Sequence, residues 1–395
     1  MLTGKMIRLK PTPEQKKLFW KSAGTARWAY NYFLSENERI YREYLENGET
    51  GKKSVSEGEI RKYISNVLKK TTHKWLSEVG SNVPKQAVKD ADKAKKDYLQ
   101  GLRGKPHYKS KHKSKISFYV NYETLSRKNG GFHGEKIGYV RTAEPLPKLP
   151  KGKKYSNPRI SFDGKYWYLS IAYEVSEKNC ELTSESIGID LGVKDLAICS
   201  NGKTYKNINK TKKVRKLKKK LKREQRKASR KLESNIESHK IIKGYRHPVY
   251  SRPLSECKNF QKQQKKIKLL HRKLANIRNN YLHQTTTEIV KAKLSRIVME
   301  TLNVKGMMKN KHLAKAIQEQ KFYEFKRQIS YKCQKYGIAL VEVPTFYPSS
   351  KTCSCCGCIK RDLKLSDRIY RCNECGLVID RDFNASLNLA NYQSA

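Results

Sequence analysis

The chain has 395 residues, long enough for roughly two or three domains with substantial cores. Its 86 Lys and Arg against 36 Asp and Glu give a formal charge of +50, a self-repulsion far from that of an ordinary soluble domain and one that a bound polyanion would neutralise. Apolar content is 37%, no apolar run approaches the roughly 18 residues of a membrane span, and Met1 to Lys10 lack a signal-peptide core, so the expectation is a cytoplasmic protein that binds nucleic acid and no membrane.

Residues 4–10 read as a strand, after which Pro11-Thr12-Pro13-Glu14 starts a helix with proline early and an acid in its first turn. Helical patterning continues to about Leu102, with Trp20, Ala23, Arg27, Tyr30, Asn31 and Leu34 at helical spacing. Gly104-Lys105-Pro106 punctuates the chain. Ser114 to Tyr122, Gly131 to Val140 and Pro158 to Val175 then alternate aromatic or branched residues with polar ones, and Asp163-Gly164 is a hairpin signal. This is a small β-barrel or sheet that the first strand can complete, which makes the helical stretch an insertion.

From Ser186 a strand runs to Asp190, a second spans Leu196 to Ser200, and Asn201-Gly202 turns into a third. Lys203 to Leu232 hold 16 Lys or Arg and one acid, Glu224, while Val214, Leu217 and Leu221 form a narrow apolar stripe. The pattern is a basic helix packed on one side, with Lys218, Lys219 and Lys220 as candidate phosphate contacts; a solvated helix or arm is the alternative. Another helix covers about Asn259 to Ala292, with Tyr245-Arg246-His247-Pro248 read as a loop before it. A helix from about Leu313 to Tyr336 joins the strand ending at Glu300 to the strand Ile338 to Val343.

That element order is that of an RNase H-like fold, in which acids at neighbouring strand ends converge on two divalent cations roughly 3.5–4 Å apart. Asp190 follows Ile187 and Ile189, and Glu300 ends Ile297-Val298-Met299; a carboxylate in such a position is expensive unless paired or bound to metal. The third acid is Asp380 or Asp382, both just ahead of the helical stretch Asn384 to Ala390, and spacing leaves the two open. The oxygen-rich donor set suits two Mg2+.

Six of the ten cysteines crowd into Cys353 to Cys375, which indicates metal in a reducing compartment. Cys353-x-x-Cys356, 15 residues, then Cys372-x-x-Cys375 is zinc-ribbon spacing. Cys355 and Cys358 offer a second frame, but Gly357 and Gly376 follow the two knuckles of the first frame symmetrically. Four thiolates close the site, so one Zn2+ here is structural.

With these residues in view the chain resembles TnpB, the family of transposon-associated RNA-guided DNA endonucleases related to compact type V CRISPR nucleases. Gly188-Ile189-Asp190-Leu191-Gly192, Met299-Glu300-Thr301-Leu302-Asn303 and Asp380-Arg381-Asp382-Phe383-Asn384-Ala385 are similar to its three RuvC motifs. The resemblance implies Asp190, Glu300 and Asp382 as catalytic magnesium ligands, and Lys85 and Gln86 as readers of a motif flanking the target. It implies an α+β multidomain fold: a β-barrel wedge domain (1–10 and 104–180), a helical recognition domain (11–103), a RuvC nuclease domain (181–348 and 377–395) and an inserted zinc ribbon (349–376). A monomer on one guide RNA, acting on target double-stranded DNA at the nucleoid of a prokaryote, follows from it. A compact type V effector and an RNA-guided repressor without cleavage are the alternatives, although a repressor is expected to have lost one of the acids. The stretch from about Glu233 to Lys258 is longer than the family pattern.

Overall fold

Strand β1 (Leu2–Lys10) alternates exposed and inward residues, with Ile7 and Leu9 buried. Pro11 ends it, and Thr12 caps α1 (Pro13–Glu46) through a capping box with Gln15. Phe19, Ala26, Ala29 and Phe33 give α1 its buried stripe, against which α3 (Asn82–Leu99) packs with α2 (Glu57–Tyr63) beside it. Six strands follow: β2 (Ser117–Tyr119), β3 (Ser126–Lys128), β4 (Gly131–Gly134), β5 (Gly138–Thr142), β6 (Ser156–Phe162) and β7 (Trp167–Glu174). In the computed structural model, which describes residues 1–111, 113–176, 180–242, 244–364 and 366–393, they form one seven-stranded sheet of order β2-β6-β7-β1-β5-β4-β3.

β1 is central, its residues 2–8 paired with β7 and 9–10 with β5. The helices α1 to α3 are therefore an insertion between a middle strand and its neighbours. Of the β-barrel or sheet expected from the sequence, the described residues pair as one sheet whose end strands, β2 and β3, do not pair with each other. Gln15 ties α1 to this sheet by donating to the Tyr139 carbonyl at 2.7 Å.

Residues Leu2–Val175 make up this first unit, and Ser176–Ala395 a second with its own core. The second begins with β8 (Thr183–Leu191), β9 (Asp195–Cys199) and β10 (Thr204–Lys206), then α4 (Lys212–Glu233). A hairpin of β11 (Ile236–Ile242) and β12 (Tyr245–Tyr250) leads to α5 (Lys258–Lys291), β13 (Leu294–Glu300), α6 (Val304–Met307), α7 (Ala314–Gln320), α8 (Phe322–Tyr336) and β14 (Ala339–Val343). The ribbon strands β15 (Ile369–Arg371) and β16 (Val378–Asp380) precede the last helix, α9 (Arg381–Ala390). The main sheet has the order β10-β9-β8-β13-β14, with β10, β9 and β8 antiparallel and β8, β13 and β14 parallel. This is the mixed helix and strand arrangement expected, and no helix among the described residues is long and apolar enough to cross a membrane.

Two readings change. Tyr245 to Pro248 are not a loop but part of β12, where Pro248 pairs with His239; a two-stranded ribbon has only edges, so a missing N–H is tolerated there. The helix expected over Leu313 to Tyr336 is broken at Lys321, whose φ is +58°. The break turns buried Gln320 toward β8, where its amide donates to the Gly192 carbonyl at 2.9 Å.

Helix α9 lies so close to β8 that a Cβ on Gly188 would sit 2.0 Å from the Ser386 carbonyl oxygen and 2.4 Å from the Ala390 nitrogen. Both obstructing atoms are backbone and cannot swing aside. Gly188→Ala is expected to destabilise the protein by about 1–3 kcal/mol and to expose α9 amides selectively, checked by urea denaturation and hydrogen exchange.

Candidate active site

Strands β8 and β13 run parallel with Ile189 opposite Met299, which puts the following residues, Asp190 and Glu300, at one end of two neighbouring strands. Helix α9 packs across β8, and its first turn carries Asp382 to the same place. Burial first, and then the carboxylates of Glu300 and Asp382, hold Asp190 well above the usual carboxylate range, with Arg381 pulling the other way. Burial pushes Glu300 up to about 7; the Leu191 N–H opposes the rise and Asp382 adds to it. Three acids distant in sequence thus form one electrostatic cluster, in which burial raises the energy of the charges on Asp190 and Glu300.

Asp380 and Asp382 are separated by what they bond. The Asp380 carboxylate caps α9, accepting the N–H groups of Asp382 and Phe383 at 3.0 Å each. Asp382 instead faces the cluster and is held by the Arg381 guanidinium at 3.0 Å, with Arg368 at 3.9 Å. These two arginines were not singled out in the sequence; their signal there is only their place beside the third motif.

Cys353, Cys356, Cys372 and Cys375 are the one group of metal-type donors, among the described residues, whose ligand atoms all lie within 4.8 Å of one another. Sγ separations are 3.6 Å for Cys353 to Cys375 and 3.5 Å for Cys356 to Cys372. Gly357 and Gly376 have φ of +77° and +70°, the left-handed geometry that lets each knuckle turn its N–H groups inward. The backbone N–H of Cys375 pulls the Cys372 thiol down to about 6. The quartet fits a structural zinc, while Cys355 and Cys358 are exposed and outside it.

The ribbon is joined to the acidic cluster through α9. Asn384, fully buried, accepts the Ser354 N–H at 3.0 Å and donates to the Thr352 carbonyl at 2.7 Å. One turn on, Asn388 donates to the carbonyls of Ser349 and Thr352 at 2.7 and 2.6 Å. At the other end of α9, Ser186 and Arg296 both donate to the Ala390 carbonyl, at 3.0 and 2.9 Å. These positioning residues read in sequence as ordinary helix polars.

The basic helix α4, whose buried residues are Val214 and Ala228, packs on α5, with Gln263 of α5 donating to the Glu224 carbonyl. Lys219 and Lys220 are exposed. Lys218 turns back to Glu319 of α7, a carboxylate that also takes Arg278 at 3.1 Å, so of the three lysines it is the one paired within the protein. Lys85 and Gln86 belong to the first unit, in the first turns of α3, where the Gln86 amide donates to Asp90 at 3.1 Å.

Three family models match the chain: a "Cas12f1-like, TNB domain" over residues 322–389, a "Probable transposase" of the OrfB IS605 type over 170–311, and a "Helix-turn-helix domain" of the same type over 1–46. A "Putative RNA-guided DNA endonuclease" of Streptomyces pristinaespiralis is 28% identical over 97% of this chain and 87% of its own length. InsQ of Escherichia coli (strain K12), with the same description, is 28% identical over 97% of this chain and 90% of its own. A TnpB-like protein, L770 of Acanthamoeba polyphaga mimivirus, is 23% identical over 98% and 72%. Among solved structures, that of a Cas12f1–sgRNA–target DNA complex has the same fold, with a TM-score of 0.56 over 99% of both chains at 14% identity.

Removing one of four thiolates removes binding energy that also folds the ribbon, so Cys353→Ser or Cys372→Ser should lower zinc content and destabilise residues 349–390. Cys355→Ser and Cys358→Ser should retain the metal; elemental analysis with thermal melts checks both. For the acids, the folded state holds Glu300 protonated up to about 7 while the unfolded chain releases that proton near 4.5. Stability in EDTA should therefore fall as pH rises from about 4.5 through 7, because the folded state binds the extra proton, and Glu300→Gln should flatten that slope in a melting-temperature series.

Proposed function

The chain belongs to the TnpB family, and from that membership we propose that it is an RNA-guided DNA endonuclease whose nuclease site is Asp190, Glu300 and Asp382. One observation carries the reading: two neighbouring strand ends and a helix start bring these three half-buried carboxylates into one cluster. A DNA-binding protein without hydrolysis would have no use for charges placed where burial opposes them.

The donor set fits magnesium, since Asp190 and Glu300 are driven toward protonation by burial and by the neighbouring carboxylates, Asp382 among them, and a divalent cation reverses both. Two such ions, when bound, would supply an activated water and stabilise the leaving 3′ oxygen. Asp190 and Glu300 hold their positions by strand pairing, and Asp382 by the cap that Asp380 makes on α9. Arg381 and Arg368 pair with the Asp382 carboxylate and orient it. Zinc at the four cysteines takes no part in hydrolysis; it shapes the ribbon that Asn384 and Asn388 fasten to α9.

The +50 charge is met by guide RNA and target DNA, with Lys219 and Lys220 on α4 among the phosphate contacts. Base pairing supplies sequence specificity, and the protein reads a short motif beside the target with Lys85 and Gln86. In this reading residues 1–10 and 104–180 are the wedge domain, 11–103 the recognition domain, 181–348 with 377–395 the RuvC domain and 349–376 the ribbon. The enzyme acts as a monomer on one RNA at the nucleoid.

Asp190→Ala, Glu300→Ala and Asp382→Ala should each reduce magnesium-dependent cleavage to background while guided DNA binding persists. Asp380→Ala should cost about 0.5–2 kcal/mol of stability and leave cleavage measurable; a dead Asp380→Ala beside an active Asp382→Ala would reverse the assignment. RNA co-purifying with the protein should be of defined sequence, and replacing its 3′ segment should redirect cutting. An RNA-free preparation that still cuts chosen DNA sites sinks the guided mechanism.

A further inference from the structure

Within the first unit, α1, α3 and the β2–β6 pair enclose a cavity of about 520 Å³, a size that takes a small ligand. Its lining has two chemistries. Trp20, Ala23, Val83, Ala87 and Ile116 supply its apolar lining. Five cations, Arg27, Lys109, Lys111, Lys115 and Arg159, line it against a single acid, Asp90. Asp90 is engaged already, held by Arg159 in a fork at 2.7 and 2.8 Å. The cavity is thus strongly cationic beside an apolar wall.

Lys109 lies half-buried, its Nζ 3.5 Å from the centre of the Tyr30 ring. Burial holds it below the ordinary lysine range, with Asp90 opposing and Arg159 adding to the effect, so an arriving anion would relieve it. Trp20 is 44% exposed yet braced edge-on by Phe162 and Trp167, both at 5.2 Å, which fixes the ring before anything binds.

Gly24 also lines the cavity, in the interior of a 34-residue helix where glycine is unfavourable relative to alanine. A Cβ built there meets nothing within 4 Å, and its backbone needs no glycine. What the missing side chain provides is room.

We propose that this cavity receives one unpaired nucleotide of the nucleic acid the protein carries, with the base against Trp20 and the apolar wall and the phosphate among the lysines. An aromatic beside an apolar slot suits a planar base, and a surplus of cations suits a phosphate, on a protein whose net charge already demands a nucleic acid. The proposal rests on the RNA-guided reading, and the nucleotide can come from the RNA or from the DNA.

Ultraviolet cross-linking and mass spectrometry of the full protein with its RNA and target DNA tests it. Adducts are expected on the peptides holding Trp20 and Tyr119, the second aromatic that lines the cavity, and the ribose or deoxyribose mass identifies the strand. Gly24→Leu, which fills the slot without touching the fold, should melt no lower than the parent and lose these adducts at least about tenfold while adducts on α4 persist; Gly24→Ala should keep them. Adducts on α4 with none at Trp20 or Tyr119, or an undiminished adduct in Gly24→Leu, overturns the nucleotide site alone. Absence of adducts from every peptide, α4 included, overturns the RNA-guided reading and this proposal with it.

Discussion

The contact of α9 with β8 is the constraint on which the second unit depends. Because Gly188 has no Cβ, the backbone of Ser386 and Ala390 can rest directly on the strand that ends in Asp190. That closeness sets where the first turn of α9 begins, and so where Asp382 stands relative to Asp190 and Glu300. The same helix secures the ribbon through Asn384 and Asn388 and is itself pinned at its far end by Ser186 and Arg296. A single ten-residue helix therefore connects a strand, an acidic cluster and a metal-binding module, and a shift in any of them is felt by the other two.

Electrostatics divides the molecule in a way that its net charge conceals. A chain of +50 places its acids sparingly, and three of them are gathered where burial raises the proton affinity of Asp190 and Glu300. Elsewhere acids serve as internal partners for cations: Glu319 holds Lys218 and Arg278, and Asp90 holds Arg159. Among the other cations, Lys219 and Lys220 are exposed on α4, and Arg27, Lys109, Lys111 and Lys115 line the cavity beside Gly24.

Sequence patterns by themselves determined the β-rich segments, the acidic strand ends at Asp190 and Glu300, and the ribbon frame. These signals are local: alternation of period two, an apolar run closed by an acid, and the C-x-x-C spacing are each complete within a few residues. The choice between Asp380 and Asp382 could not be local, since both precede the same helix and either can cap it; direct hydrogen bonds to two α9 amides reveal Asp380 as the cap only when the helix is built. Lys218 and its neighbours Lys219 and Lys220 look alike in sequence, and only the position of Glu319, about a hundred residues on, turns one of them inward. The break at Lys321, the strand at Tyr245 to Pro248 and the space beside Gly24 were likewise decided by tertiary structure, because each depends on a partner or a void contributed by a distant part of the chain, and no run of neighbouring residues encodes it.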